Sequence, residues 1–399
     1  MRNVYDLSEA ERSRTQPMAR KKIGNCRREA PVLIDLFCGA GGLTLGAARA
    51  GFLVAAAVDN DSRTKKAFVT NFPGCKHIEI DIAELSSSQL RDKADLDGNP
   101  VHGIVGGPPC QGFSMIGHRN RRDPRNSLFC HFFRLVAEIR PRFYLAENVL
   151  GILDRRFEDI RRNALAMLEG YTQLAPLTLK ASDFGAATSR ERVFFIGFLD
   201  EHPGAIKETD FDPPHDSEKV TVEIALRGLR QKISADWQSD EKGRRALTCR
   251  PDGVFWRKIF DEVPEGIGDL NSLQRLRKEN LVSGCIGTRH TKAVFKRFAA
   301  LAEGAVDPPS RAIRLRRKGS CPTLRSGTGP DRGSFQALRP IHPTEPRVIT
   351  PREAARLQGF PDWFVFDHTK WHSFRQIGNS VSPILAEAIL RKIREKLRL

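Results

Sequence analysis

The chain has 399 residues, 40% of them hydrophobic and 28% charged, which is length enough for one large domain and a smaller one. No run of about 18 apolar residues occurs, and the polar start from Arg2 to Glu29 has no apolar signal core, so a membrane span and a secretory leader are not expected and a cytoplasmic protein is. The net charge of +17 and pI near 9.8 predict a polyanionic partner, nucleic acid first.

The eight cysteines are scattered without a Cys-x-x-Cys pair, so neither a disulfide framework nor a metal site is expected. Residues 1–30 are polar without a clear period and read as an N-terminal extension. Val32-Leu33-Ile34-Asp35-Leu36-Phe37 is then an apolar run that ends in Cys38-Gly39-Ala40-Gly41-Gly42, with helix-like spacing after it. Strand, glycine turn and helix in this order set free backbone N–H groups and a helix amino terminus against a ligand. A nicotinamide-dependent oxidoreductase is the rival reading, weakened because Thr44 occupies the place of the third glycine of Gly-x-Gly-x-x-Gly.

A second run, Phe52 to Val58, delivers Asp59-Asn60-Asp61; an acid at the end of a second strand is placed to bond ribose hydroxyls. His77 to Ile80 reads as a third strand with Asp81-Ile82 at its end. Ile104-Val105 stops at Gly106-Gly107-Pro108-Pro109-Cys110-Gln111-Gly112, a rigid turn that holds Cys110 at a strand's carboxyl end with little freedom. The helical spacing of Leu128, Phe132, Leu135, Val136 and Ile139 is stopped by Pro141. Phe143 to Ala146 is a fifth strand, and it delivers Glu147, a carboxylate that needs a partner or a proton where it is buried. Arg190 and Arg192 stand at the entry to a further strand through Gly197, and Arg192 offers a forked donor to a carbonyl oxygen or a carboxylate.

From about residue 200 the pattern breaks into short pieces. Residues 281–345 hold 12 Lys/Arg against 4 Asp/Glu, a patch suited to a phosphate backbone, and Arg119, Arg121, Arg122 and Arg125 form a second. Thr350-Pro351-Arg352-Glu353 is a capping box with proline at the first helical position, and the helix it opens ends at Gly359. Gln376 to Pro383 turns into a last helix with Leu385, Ile389, Ile393 and Leu397 on one face.

Pro-Pro-Cys-Gln-Gly-Phe-Ser around Cys110 resembles the catalytic-cysteine motif of the DNA cytosine-5 methyltransferases, of bacterial restriction–modification type. The family's other motifs follow in the family's order. Asp-Leu-Phe-Cys-Gly-Ala-Gly-Gly is similar to its first motif, the Arg190–Arg192 stretch to its Gln-x-Arg-x-Arg motif with Thr188 for Gln, and Thr350 to Pro361 to its ninth.

The resemblance implies a Rossmann-like α/β S-adenosyl-L-methionine-dependent domain (31–200 and 346–399). A smaller, irregular target recognition domain (201–345) is inserted before its C-terminal helix. Cys110, Glu147, Arg190 and Arg192 would be catalytic. Phe37, Gly39, Ala40, Gly42, Asp59, Asn60, Asp81, Ile82, Pro109, Leu128, Asn379 and Val381 would line the cofactor, with no metal. The implied reaction methylates carbon 5 of a flipped-out cytosine in a specific double-stranded DNA sequence, after Cys110 adds to carbon 6. A monomer acting in the bacterial cytoplasm on nucleoid DNA is expected, with any cognate restriction endonuclease acting separately. An RNA cytosine-5 methyltransferase and a catalytically silent DNA-binding regulator are the alternatives; the long basic insert favours DNA.

Within the insert, Arg314, Arg316, Arg317 and Lys318 are too dense for all of them to reach base edges, so most are expected on phosphates. Gly287-Thr288-Arg289-His290 and Thr323-Leu324-Arg325-Ser326 are the expected base-reading stretches, with Arg289 or Arg325 on a guanine.

Overall fold

Strict alternation of side chains along each strand gives the central sheet two apolar faces. A computed structural model describes residues 30–96, 98–109, 126–200, 206–234, 243–325 and 339–399. Cys110, the Arg119 to Arg125 cluster, Ser326 and nearly all of the N-terminal extension lie outside the described residues.

Five strands run parallel: β1 (Val32–Leu36), β2 (Leu53–Asp59), β3 (Lys76–Glu79), β4 (Gly103–Gly106) and β5 (Phe143–Asn148). The short strands β6 (Tyr171–Gln173) and β7 (Leu177–Lys180) pair antiparallel with one edge of the long β8 (Glu191–Leu199), whose other edge is antiparallel to β5. The order β3-β2-β1-β4-β5-β8-β6 reverses between β1 and β4. Ligands of open α/β sheets lie at the strand carboxyl ends beside such a switch. The third strand begins one residue earlier than its apolar run suggests.

Between the strands run α1 (Gly42–Arg49), α2 (Ser62–Asn71), α3 (Ser87–Lys93), α4 (Asn126–Ile139) and α5 (Glu158–Leu165). On β5, Phe143 and Leu145 join one core while Tyr144 and Ala146 join the other; on β8, Phe194, Ile196 and Phe198 alternate with Val193, Phe195 and Leu199 in the same way. The second core is filled by Phe129, Phe132 and Phe133 of α4, all fully buried.

The insert contributes short pieces: α6 (Val222–Leu226), β9 (Arg245–Ala246), α7 (Val254–Phe260), α8 (Leu270–Gln274), β10 (Leu281–Val282) and α9 (Lys292–Ala300). Phe255, Trp256, Ile259 and Leu315 join the same apolar core as β1 and α1.

The chain then forms α10 (Pro351–Gln358), α11 (Lys370–Asn379) and α12 (Pro383–Leu397). The capping box at α10 forms as its sequence predicts, with Thr350 and Glu353 bonding each other's amides, and Gly359 closes the helix at φ 90°. Its charged residues are buried: Arg356 makes a two-point pair with Asp362 at 2.8 and 2.6 Å, and Arg347 pairs with Glu353 at 2.9 and 2.6 Å. Helix α12 buries Leu385, Ile389, Ile393 and Leu397. It lies so close to α1 that a side chain at Gly46 would collide with Ala386. The last helix thereby returns to the first glycine turn.

Candidate active site

The carboxyl ends of β1, β2, β4 and β5 and the start of β8 converge on one edge of the sheet. Because β8 is antiparallel to β5, its first residues stand beside the last residues of β5, with Asn148 opposite Val193 and Glu147 opposite Phe194. Glu147 and Arg192 thus meet as an ion pair, Arg192 Nε lying 2.8 Å from Glu147 Oε1, and both side chains are largely shielded from solvent. Glu147 Oε1 is buried and, among the described residues, accepts no well-aligned hydrogen bond. Strand β4 pairs directly with β5, so the chain leaving β4 runs past Glu147: a Cβ on Gly107 would sit 3.1 Å from Glu147 Oε2. Asn148 Nδ2 donates to Pro108 O at 3.3 Å, fixing the rigid turn whose next residues are Pro109 and Cys110. Among the described cysteines, burial raises the thiols of Cys38, Cys75, Cys130, Cys285 and Cys321, which disfavours the thiolate at each.

Arg190 stands apart from the Glu147–Arg192 pair. Its buried guanidinium donates to the carbonyls of Gly378 at 2.8 Å, Asn379 at 3.4 Å and Leu324 at 3.5 Å. It therefore joins the start of β8 to the end of α11 and to the stretch that leads into Arg325. Thr188, where the family motif has Gln, is also buried and donates to Cys321 O at 3.1 Å.

At the end of β2, Asp59 caps the glycine turn. Its Oδ2 accepts from Gly39 N and its Oδ1 from Asp61 N, both at 2.8 Å. Burial raises its carboxyl above the ordinary range, against the pull of those two amides. One lone pair on each oxygen remains for a ligand hydroxyl. Gly39 has φ 52° and open space where a Cβ would be, while Phe37 beside it is half-buried at φ 61°. Ala40, Gly42, Ile82 and Val381 are buried, Pro109, Leu128 and Asp81 are half-buried, and Asn60 and Asn379 are exposed. Asp81 Oδ1 accepts from Ala83 N at 2.9 Å.

Two further site residues emerge only in three dimensions. Asn148 holds Pro108, as above. Asp35 is fully buried in β1 with Oδ2 accepting from Thr44 Oγ1 at 2.6 Å, and its Oδ1 has no partner among the described residues. Burial pushes its carboxyl up to about 7, opposed by the Thr44 hydroxyl and assisted by Asp59. A lone acid inside Val32 to Leu36 is the signal that could have marked it.

The insert corrects one expectation. Arg314 does not face solvent: its guanidinium donates to Phe298 O at 2.7 Å, Pro343 O at 3.0 Å and Leu301 O at 3.1 Å, leaving it no access to phosphate. Arg317 pairs with Glu303 at 2.6 Å, while Arg316 and Lys318 are exposed. Arg289 and Arg325 are exposed.

The residues of this site fit an adenosine-bearing cofactor, since an open glycine turn, an acid at the second strand end that caps it and a buried acid with one oxygen unpartnered among the described residues are grouped at the switch point. The family model for C-5 cytosine-specific DNA methylase matches residues 32–395. The chain is 37% identical over 385 residues to the type II methyltransferase M.XorII of Xanthomonas oryzae pv. oryzae, covering 92% of this chain and 85% of that one. It is 32% identical over 395 residues to M.DdeI of Desulfomicrobium norvegicum, covering 90% and 88%. Among solved structures, a prophage-encoded Escherichia coli chain assigned as a DNA modification methyltransferase superposes with a TM-score of 0.84 at 46% identity, covering 93% of this chain and 100% of the other. The Schizosaccharomyces pombe Dnmt2 methyltransferase shares the fold at a TM-score of 0.59 and 17% identity, covering 92% and 98%. With a family match across nearly the whole chain and relatives of matching length, this protein belongs to the C-5 cytosine-specific DNA methylases, as a DNA (cytosine-5) methyltransferase of the bacterial restriction–modification type.

Proposed function

We propose that the enzyme methylates carbon 5 of a cytosine swung out of a specific double-stranded DNA sequence, by way of a covalent adduct between Cys110 and carbon 6. The observation that carries this reading is the Glu147–Arg192 pair at the end of β5, against which the turn leading to Cys110 is packed. Carbon 5 of cytosine is a weak nucleophile and lies inside the duplex stack, so the base must leave the stack and be activated covalently. The Cys110 thiolate adds to carbon 6 as Glu147 delivers a proton to the ring nitrogen, which keeps negative charge from building on the ring. Arg192 orients the Glu147 carboxyl and offers its remaining donors to the ring carbonyl oxygen. After carbon 5 is alkylated, loss of its proton returns electrons to the ring and expels the Cys110 sulfur as thiolate, and the ring nitrogen gives its proton back to Glu147.

Enzymes of this family use S-adenosyl-L-methionine, which supplies an electrophilic methyl group when bound. Asp59 would hold its ribose hydroxyls. Phe37, Gly39, Ala40 and Gly42, with Asn379 and Val381, would hold the methionine portion; Asn60, Asp81, Ile82, Pro109 and Leu128 would border the adenine side. Arg190 serves this reading as a positioning residue, tying β8 to the Asn379 turn. Residues 31–200 and 346–399 form the catalytic part and 201–345 the recognition part, with DNA between them. A cognate restriction endonuclease acting separately on the same sequence, in the bacterial cytoplasm, belongs to this reading, and the type II names of the relatives support the restriction–modification part of it.

A duplex carrying 5-fluorocytosine at the target tests the adduct, because fluorine cannot leave as a proton does. The wild-type enzyme with cofactor should form a complex that survives denaturation. Its absence, under conditions where ordinary DNA is methylated, contradicts the covalent route.

A further inference from the structure

Most buried cations in the second half of the chain spend their charge on the protein itself. Arg347 and Arg356 hold carboxylates, and Arg314 and Arg352 hold main-chain carbonyls. Two half-buried cations differ. Lys370, at the start of α11, donates to Gly287 O at 3.1 Å and Thr288 Oγ1 at 2.9 Å. Arg339 lies with its guanidinium 4.9 Å from the centre of the Phe374 ring, and among the described residues its buried Nε has no hydrogen-bond partner. Phe374 is one helical turn beyond Lys370, so Arg339 and Lys370 share a side of α11. Among the described residues, neither has a carboxylate within ion-pair distance.

Neighbouring acids and bases do not supply the missing charge. Asp367 Oδ1 accepts from both the amide and the hydroxyl of Thr369, at 2.7 Å each, and its charge acts appreciably on neither Lys370, which burial and Arg339 perturb, nor Arg339, which burial perturbs. His290 Nε2 accepts from Val348 N at 3.3 Å, and burial together with Lys370 and Arg347 holds the ring below its ordinary pKa, hence neutral. Two like charges held half-buried without a counter-charge disfavour their own ionised forms. Burial, then Arg339, brings Lys370 down to about 8, and burial also lowers Arg339.

We propose that Lys370 and Arg339 form a subsite for a backbone phosphate of duplex DNA, beside the stretch that carries Arg289. A phosphate completes the charge that this pair lacks and settles against the loop that Lys370 already holds, so backbone contact and loop placement occur in one step. The inference rests on the proposed placement of DNA against the insert.

The test uses the full-length enzyme with Lys370→Gln, Arg339→Gln, the double variant, and Lys370→Arg as the charge-conserving control. Binding to cognate duplex and to a duplex with one changed base pair is measured across salt concentration. Each Gln variant should flatten the slope of log K against log salt by roughly 0.9, and the double by about twice that. Both duplexes should be affected alike, and Lys370→Arg should keep the wild-type slope. Inorganic phosphate should raise the melting temperature of wild type more than that of the double variant. An unchanged slope in the Gln variants overturns the subsite. So does a loss of discrimination at unchanged slope, which would make Lys370 a tie for the loop alone. The 5-fluorocytosine trap on the same variants reads the methylation chemistry separately, so the subsite can fail while the adduct stands.

Discussion

The strand-end edge and the insert are built on different physics. At the edge, regular strands with fully apolar faces bring a few polar groups together: Glu147 and Arg192 meet because β5 and β8 run antiparallel, and Asp59 caps the turn that follows β1. In the insert, helices of five to nine residues are secured by buried cations: Arg314 among three carbonyls within it, and, from the stretch that follows it, Arg356 on Ala225 O and Arg227 O and Arg347 on Gln231 O, with Asp362 and Glu353 as their carboxylate partners. The first arrangement leaves its polar groups open to a ligand, while the second consumes them in structure. An arginine here is a candidate for chemistry or for DNA only where the fold has not already used it.

That contrast can be broken from either side. Glu147→Gln should lower kcat by about 10²- to 10⁴-fold, the usual worth of a positioned general acid. Its melting temperature and DNA affinity should stay near wild type, read by single-turnover methylation beside thermal unfolding. Asp362→Ala should do the reverse. Leaving Arg356 charged and unpaired in a fully buried site should cost about 3 to 5 kcal/mol of stability, measured by denaturant unfolding. The chemical step in the protein that remains folded should be near normal.

Asp35 sharpens the comparison, since it is a buried acid on the strand-end side. Its folded carboxyl keeps a proton up to about 7 whereas the unfolded chain releases it near 3.8. The folded state therefore binds more protons between these values, and its stability falls as pH rises through that window. Asp35→Asn cannot titrate, so its stability relative to wild type should climb between pH 4 and 7 and then level off, by a few kcal/mol at most. A constant difference across that range would mean that Asp35 is ionised in the folded protein.

Much of the strand-end edge was legible because its signals are local. Val32 to Phe37, Ile104-Val105 and Phe143 to Ala146 each read as a buried run followed by polar or turn residues, and the Thr350 cap was written in four consecutive residues. The pairing of Glu147 with Arg192 needed one further step, adjacency of β5 and β8, which no local pattern carries. In the insert, the density of Arg314, Arg316, Arg317 and Lys318 points to phosphate contacts for most of them. Arg314 turned inward because the carbonyls of Phe298, Leu301 and Pro343 converge on it, an arrangement set by residues far apart in the chain. Asp35 is hidden for the opposite reason: the apolar pattern of its strand dominates the local signal, and a single acid within it leaves that pattern intact.

Cys110→Ser tests whether the turn packed against Glu147 delivers a nucleophile. A hydroxyl at neutral pH is far less nucleophilic than a thiolate. The variant should bind cognate duplex as wild type does yet transfer no measurable methyl group to it. Methylation within tenfold of the wild-type rate would contradict the assignment of Cys110.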